Sequence, residues 1–232
     1  MASADRTLVV GELERRQDLQ AQLVECLPGC RRETISALRR TARLRSLDRG
    51  DLIYPQGEPV PLTLILRGHG VARRTMLNGQ QFMSGVAIPG ILFGYSGIAS
   101  ARSSVELIAL TACDVAQWPG VEIRALAVVD PELALAAIDT MGQSLHETLE
   151  RIEGFLHQDA RRRVLRILAR HRALFFEEPA VLTRSHLPGL VGTSREMTAR
   201  VLRQLEREGT VARVGRTGLR LLRPDRLDAE SA

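Results

Sequence analysis

Short apolar runs broken by glycine and proline fill the first half of this chain, and long helical periodicity fills the second. From about Arg45 to Trp118 the runs are Leu52-Ile53-Tyr54 before Gly57, Leu62–Leu66 before Gly68, Val71-Ala72 before Asn78-Gly79, and Phe82–Ile88 before Pro89-Gly90. Val105–Leu110 and Asp114–Trp118 read as two further strands. Asn78-Gly79 is a two-residue hairpin signal, because both positions tolerate positive φ. Many short strands with turns between them predict a small antiparallel barrel or sandwich.

Helical spacing brackets this region. Residues 1–24 are polar and charged and predict a loose arm or short helix. Ile35, Leu38 and Leu44 carry a helical pattern over Arg31–Arg45. Pro131 opens a much longer one. Ile138, Leu145 and Ile152 lie seven apart, as do Met141, Thr148 and Phe155, with Leu149 and Leu156 widening the stripe. These are a and d positions of a coiled coil, so a dimer seam is expected over 131–158. Asp159 is placed to cap a helix over Ala160–Ala173, with Val164, Leu165, Ile167 and Leu168 inward and Arg161, Arg162 and Arg163 outward or on phosphate. Gly192 then permits a tight turn, Thr193 or Ser194 can cap the next helix, and Val201, Leu202 and Leu205 form its inward face. Thr210–Val214 and Leu219–Leu222, joined through Gly215-Arg216-Thr217-Gly218, predict a hairpin. The divisions expected are 1–24 arm, 25–130 barrel or sandwich, 131–158 dimerisation helix and 159–232 winged helix-turn-helix, an α+β chain.

Charge sharpens this picture. All 32 basic residues are arginine and none is lysine, so every cation is a planar fork suited to phosphate or guanine. Residues 159–232 carry 16 arginines against 9 acids, whereas 1–158 carry 16 against 18. The basic excess sits with the second helical region, as a nucleic-acid footprint does. The three cysteines are too few and scattered for a disulfide framework, no apolar run is long enough to span a membrane, and residues 1–12 lack the core of a secretory signal. A cytoplasmic, nucleoid-associated protein is expected. The sequence has no Ser/His/Asp constellation, phosphate-binding glycine loop or metal-spaced histidine pair, so no enzyme is expected.

The segment Gly192-Thr-Ser-Arg-Glu, followed by Arg200-Val-Leu, Leu205-Glu and Glu208-Gly209, resembles the helix-turn-helix signature of the Crp/Fnr family of bacterial transcription regulators. Gly50–Gly57, Leu64–Gly68 and Pro89–Gly94 resemble that family's cyclic-nucleotide-binding β-roll, jelly-roll-like in form, and Asp159 matches its hinge. The resemblance runs from about Cys26 to Leu227. It implies a homodimer on palindromic double-stranded DNA, half-sites about one helical turn apart, and recruitment or blocking of RNA polymerase. Arg195, Glu196 and Arg200 match the base-reading positions, in the pattern of the Crp branch with its TGTGA-like half-site. Arginine can fork onto guanine O6 and N7, and glutamate can accept from cytosine N4. Thr193, Ser194, Arg203, Arg213 and Arg216 are expected on the DNA backbone. Pro188-Gly189 departs from the family pattern, so the preceding helix is expected to start late, with Ser185 rather than Thr183 as its cap, or to be distorted.

The sensor departs further. Cyclic-AMP-binding members carry a glutamate where Tyr95 stands and an arginine-hydroxyl pair where Ser103-Ser104 stand, with Arg102 one residue early. Tyr95, Arg102, Ser103 and Ser104 are the expected effector pocket, and cyclic AMP is not its expected occupant. Three alternatives stay open beside an unidentified effector: a redox or iron–sulfur sensor on Cys26, Cys30 and Cys113, a haem sensor, and a cyclic-nucleotide-binding regulatory module.

Overall fold

The computed structural model describes residues 15–76 and 81–231. The strands are β1 (Arg43–Leu47), β2 (Leu52–Tyr54), β3 (Leu62–Arg67), β4 (Gly70–Thr75), β5 (Gln81–Ala87), β6 (Leu92–Phe93), β7 (Glu106–Ala109) and β8 (Cys113–Trp118). They form two four-stranded sheets in the orders β1-β8-β3-β6 and β2-β7-β4-β5, a jelly-roll-like β-roll. The expected hairpin turn at Asn78-Gly79 lies outside the described residues.

Strand β3 shows how the pattern builds two cores. Its residues Leu62–Leu66 are all buried, and side chains alternate between faces. Leu62, Leu64 and Leu66 enter a core shared with Leu19, Leu23, Leu38 and Trp118. Ile65 points the other way, between the sheets, with Ile53, Leu107 and Val115. The indole N–H of Trp118 donates to the Leu38 carbonyl at 2.8 Å, so its one polar group is satisfied inside.

Helices complete the first core. Residues 15–26 form α1, which buries Leu19 and Leu23; the segment expected as a loose arm or short helix is, from residue 15, a packed helix. Helix α2 (Arg32–Thr41) buries Ile35 and Leu38 but stops before Leu44, which belongs to β1. The predicted helix over Arg31–Arg45 is therefore too long by a strand: Leu44 fits either period over so short a run. Helix α3 (Gly120–Val129) was not predicted. Val121, Val128 and Val129 are exposed on it while Ile123 is buried, so it has no amphipathic contrast to read.

Helix α4 (Pro131–His157) buries Leu133 and Ala137 near its start. Beyond them Ile138, Met141, Leu145, Leu149, Ile152 and Leu156 are all exposed. Then follow α5 (Ala160–Arg170), α6 (Arg172–Phe176), α7 (Leu187–Val191), α8 (Arg195–Arg207), the hairpin β9 (Val211–Val214) and β10 (Gly218–Leu221), and α9 (Pro224–Ser231). Asp159 caps α5 through a 2.8 Å bond from the Arg162 N–H. Leu165, Leu168, Phe175, Leu187, Leu202 and Leu205 are among the buried residues there.

The chain folds as two compact units. One takes the described residues up to Arg74 together with Ser84–Leu145; the other takes the described residues of Thr75–Met83 with those from His146 onward. Among the described residues no helix is long and apolar enough to cross a membrane.

Candidate nucleic-acid interface and sensor cavity

The turn into α8 is local chemistry. Gly192 adopts φ 68°, the left-handed conformation that closes α7. Ser194 stays extended, and its Oγ accepts from the Met197 N–H at 3.1 Å, an N-cap for α8. Thr198, Val201, Leu202 and Leu205 are buried, which turns the opposite face outward. At 100° per residue, Glu196, Arg200, Arg203 and Arg207 share an arc of about 60°. All four are exposed, and Arg195 is exposed at the helix N-terminus beside them. Arg207 was missed by motif matching, although the i, i+4, i+7, i+11 spacing from Glu196 marks it.

The helix before the turn is shorter than expected. Helix α7 holds five residues, has Pro188 in its first turn, and takes His186 rather than Ser185 as its N-terminal flank. Thr183, Ser185 and His186 bond instead to one another: the Thr183 N–H donates to His186 Nδ1 at 2.9 Å, and the Thr183 and Ser185 hydroxyls meet at 2.7 Å. These side chains are used in a turn, so no hydroxyl caps the helix.

Several arginines expected outward are partnered within the chain. Arg161 pairs with Glu208 at 2.6 Å, and Arg163 donates to the Gln158 carbonyl at 2.6 Å. Arg213 Nε pairs with Glu206 Oε1 at 2.5 Å. Arg216 is exposed in the hairpin turn, where its carbonyl accepts from Arg184. Thr193 is half-buried, with its N–H on the Pro188 carbonyl.

A cavity of about 490 Å³ opens in the β-roll. Among the described residues its side-chain polar lining is hydroxyls from Tyr54, Ser84, Ser96, Ser103, Ser104 and Ser144, with Arg102 as the one cation and no carboxylate. Arg102 is exposed and donates to the Gly57 carbonyl at 2.9 Å. Ser103 is buried, with its Oγ 2.5 Å from the Val105 carbonyl. Three of the four expected pocket residues therefore meet. Tyr95 does not join them: it is 4 % exposed and sits in the helical core, with Cys26 and Cys30 packed against the same cluster. Burial, then the neighbouring Cys26 and Cys30, push its hydroxyl well above the usual phenol range.

The cysteines are not gathered. Cys113 lies in the core between the sheets, its Sγ donating to the His69 carbonyl at 3.1 Å, whereas Cys26 and Cys30 pack on the other core. Among the described residues no three His, Cys, Asp or Glu side chains are placed to hold a metal ion. The iron–sulfur alternative thus loses its ligand set. Burial pushes all three thiols up, Cys30 to about 11, away from the thiolate form.

Comparison with known proteins agrees with this architecture. Residues 153–230 match the Crp-like helix-turn-helix domain. The cyclic AMP receptor protein of Thermus thermophilus is 31% identical over 180 residues, covering 68% of this chain and 78% of that protein. The cAMP-activated global transcriptional regulator Vfr of Pseudomonas aeruginosa is 25% identical over 190 residues, 75% of this chain and 87% of its own. Among solved structures, FixK2 from Bradyrhizobium japonicum superposes with a TM-score of 0.70 at 20% identity, covering 82% of this chain and 98% of that one. The chain belongs to the Crp/Fnr family: it is a helix-turn-helix, DNA-binding transcription regulator and not an enzyme.

Proposed function

We propose that the protein is a homodimer that reads a palindromic site with TGTGA-like half-sites and answers to an effector other than a cyclic nucleotide. The observation that carries the reading is the open face of α8, where Glu196 and Arg200 stand exposed together behind Arg195 while the apolar face is buried. Arg195 and Arg200 fork onto guanines and Glu196 accepts from a cytosine amine. Arg203, the far end of Arg213, Arg216, Thr193 and Ser194 hold phosphates. The exposed stripe on α4 from Ile138 to Leu156 supports the dimer, since six large apolar side chains left in water at coiled-coil spacing call for a partner helix.

The cavity supports an effector with hydroxyl or carboxylate groups on a small body. The lining offers a ribose no carboxylate acceptor, and Tyr95 is not part of it. Binding to a TGTGA palindrome and to random duplex, measured by fluorescence anisotropy with and without cyclic AMP, tests all of this. Expected are a preference for the palindrome, affinity that falls steeply with salt, no response to cyclic AMP, and a loss of about 1–3 kcal/mol confined to one base pair in Arg200→Ala. Equal preference in Arg200→Ala and wild type would overturn the base-reading roles; tighter binding with cyclic AMP would overturn the effector reading.

A further inference from the structure

Two glycines of the helix-turn-helix are occupied from outside by larger side chains. Gly189 is buried in α7, and a Cβ there would stand 3.0 Å from Met83 Cγ and 3.2 Å from its sulfur. At Gly192 a Cβ would stand 2.6 Å from the Phe155 ring. Phe155 meets Phe82 with ring centroids 6.5 Å apart. Guanidinium groups cover both rings: Arg151 lies 5.9 Å from the Phe82 centroid and Arg163 lies 5.5 Å from that of Phe155. Phe82 and Met83 are consecutive in β5, and this stretch of strand belongs with the C-terminal unit.

We infer that Phe82 and Met83 are positioning residues for DNA reading, with Gly189 as the seat of Met83. A glycine weakens a helix by about 1 kcal/mol relative to alanine, so its place in a five-residue helix needs a reason, and the close approach of Met83 supplies one. Met83 on Gly189, and Phe155 on Gly192, bear on α7 and on the turn from behind, leaving the exposed face of α8 uncovered. The same strand continues into Ser84, Gly85, Val86 and Ala87, which line the β-roll cavity. The inference rests on α8 as the reading helix.

A volume exchange tests it. Gly189→Val adds three heavy atoms where Met83→Ala removes three, so the double variant refills the seat. Binding is measured to a duplex selected by the wild type from a random pool and to unselected duplex, alongside amide hydrogen exchange at residues 192–197. Gly189→Val is expected to weaken the selected site about tenfold and Met83→Ala about threefold, with the double within about twofold of wild type, since volume-conserving swaps are tolerated best and contacting residues are non-additive. Unselected duplex should bind all four proteins alike, and exchange should quicken in each single variant and recover in the double. Losses that multiply in the double, or equal weakening on both duplexes, would overturn the inference. Should Gly189→Val fail to fold, Met83→Ala decides: selected-site binding and exchange unchanged from wild type would overturn it. A wild type that selects no sequence would sink the reading role of α8, and the exchange measurements would still decide whether Met83 seats the turn.

Discussion

Replacing Asp130 with alanine is the most direct test of how the β-roll unit is held together. Asp130 is fully buried, yet it sits at the N-termini of two helices far apart in sequence. Its Oδ2 accepts from the Arg31 N–H at 2.8 Å and from the Thr34 hydroxyl at 2.6 Å, at the start of α2. Its Oδ1 accepts from the Glu132 N–H at 3.3 Å, at the start of α4. Arg31 offers α2 no side-chain cap of its own, so the carboxylate supplies it across 99 residues of chain. A hydrogen bond to a charged group contributes about 1.5–3 kcal/mol, and a buried donor left alone costs about 1–3 kcal/mol. With two short bonds and one long one, Asp130→Ala is expected to lose about 3–5 kcal/mol, against a typical domain stability of about 5–15 kcal/mol.

Trp118 is the single tryptophan and is buried in the same core, so its fluorescence during urea unfolding reports this unit. The midpoint should fall with little change in slope. The bond from Thr34, followed by those from the Arg31 and Glu132 amides, outweighs burial and holds the Asp130 carboxyl below its usual range. Its contribution is therefore complete above the unfolded value near ~4 and disappears as pH falls through the lower folded value. The gap between wild type and Asp130→Ala should be constant from neutral pH down to about 5 and narrow only at more acid pH. A loss under about 0.5 kcal/mol, or a gap unchanged at pH 3, would refute the double-cap argument.

Four further outcomes follow from the same geometry. Ser194→Ala removes the cap of α8 and should cost about 1 kcal/mol in thermal unfolding of the C-terminal unit, with Ser194→Asp close to wild type. Glu208→Gln leaves the bond from Gln204 but loses the ion pair with Arg161, and should cost about 1 kcal/mol at neutral pH. Gln204, burial notwithstanding, and then Arg161 hold the Glu208 carboxyl low, so that difference should vanish in urea titrations as pH drops below the usual glutamate range. Gly68→Ala combines φ 83° with a Cβ 2.1 Å from the Ala112 carbonyl oxygen, and about 3 kcal/mol or more should be lost from the urea stability of the β-roll. Tyr95→Glu should lower β-roll stability by several kcal/mol, since it buries an unpaired carboxylate, and calorimetry should detect no cyclic AMP binding.

Helix α8 was legible because everything it needs is local. Gly192, Ser194 and the apolar spacing of Val201, Leu202 and Leu205 specify a turn, a cap and a buried face within fourteen residues. The strands were legible where glycine or proline punctuated them, as at Gly57 and Gly68. Failures came where partners are distant. Nothing near Leu44 says that β8 pairs with it, and nothing near Arg31 says that Asp130 caps α2. Helix α3 hid because both of its faces carry apolar residues. The late start of α7 was anticipated from Pro188, but its reason for carrying Gly189 needs Met83, more than a hundred residues away.

Tyr95 departs from the cyclic-AMP pattern together with Ser103-Ser104, and its side chain lies in the helical core and not in the cavity lining. Gly94, at φ 91° and with a Cβ position 2.2 Å from the Pro61 carbonyl oxygen, pins the backbone just before residue 95, so the chain cannot easily rotate there. A tyrosine at the next position finds an apolar home beside Cys26, Cys30 and Leu92. A glutamate there would be buried among apolar side chains, so Tyr95→Glu should not create nucleotide binding. The cavity is lined by hydroxyls without a carboxylate, while the exposed face of α8 carries arginines and a glutamate. Under the proposed function, DNA recognition rests on the exposed residues of α8 and the choice of effector on which core claims residue 95, and in this chain the helical core claims it.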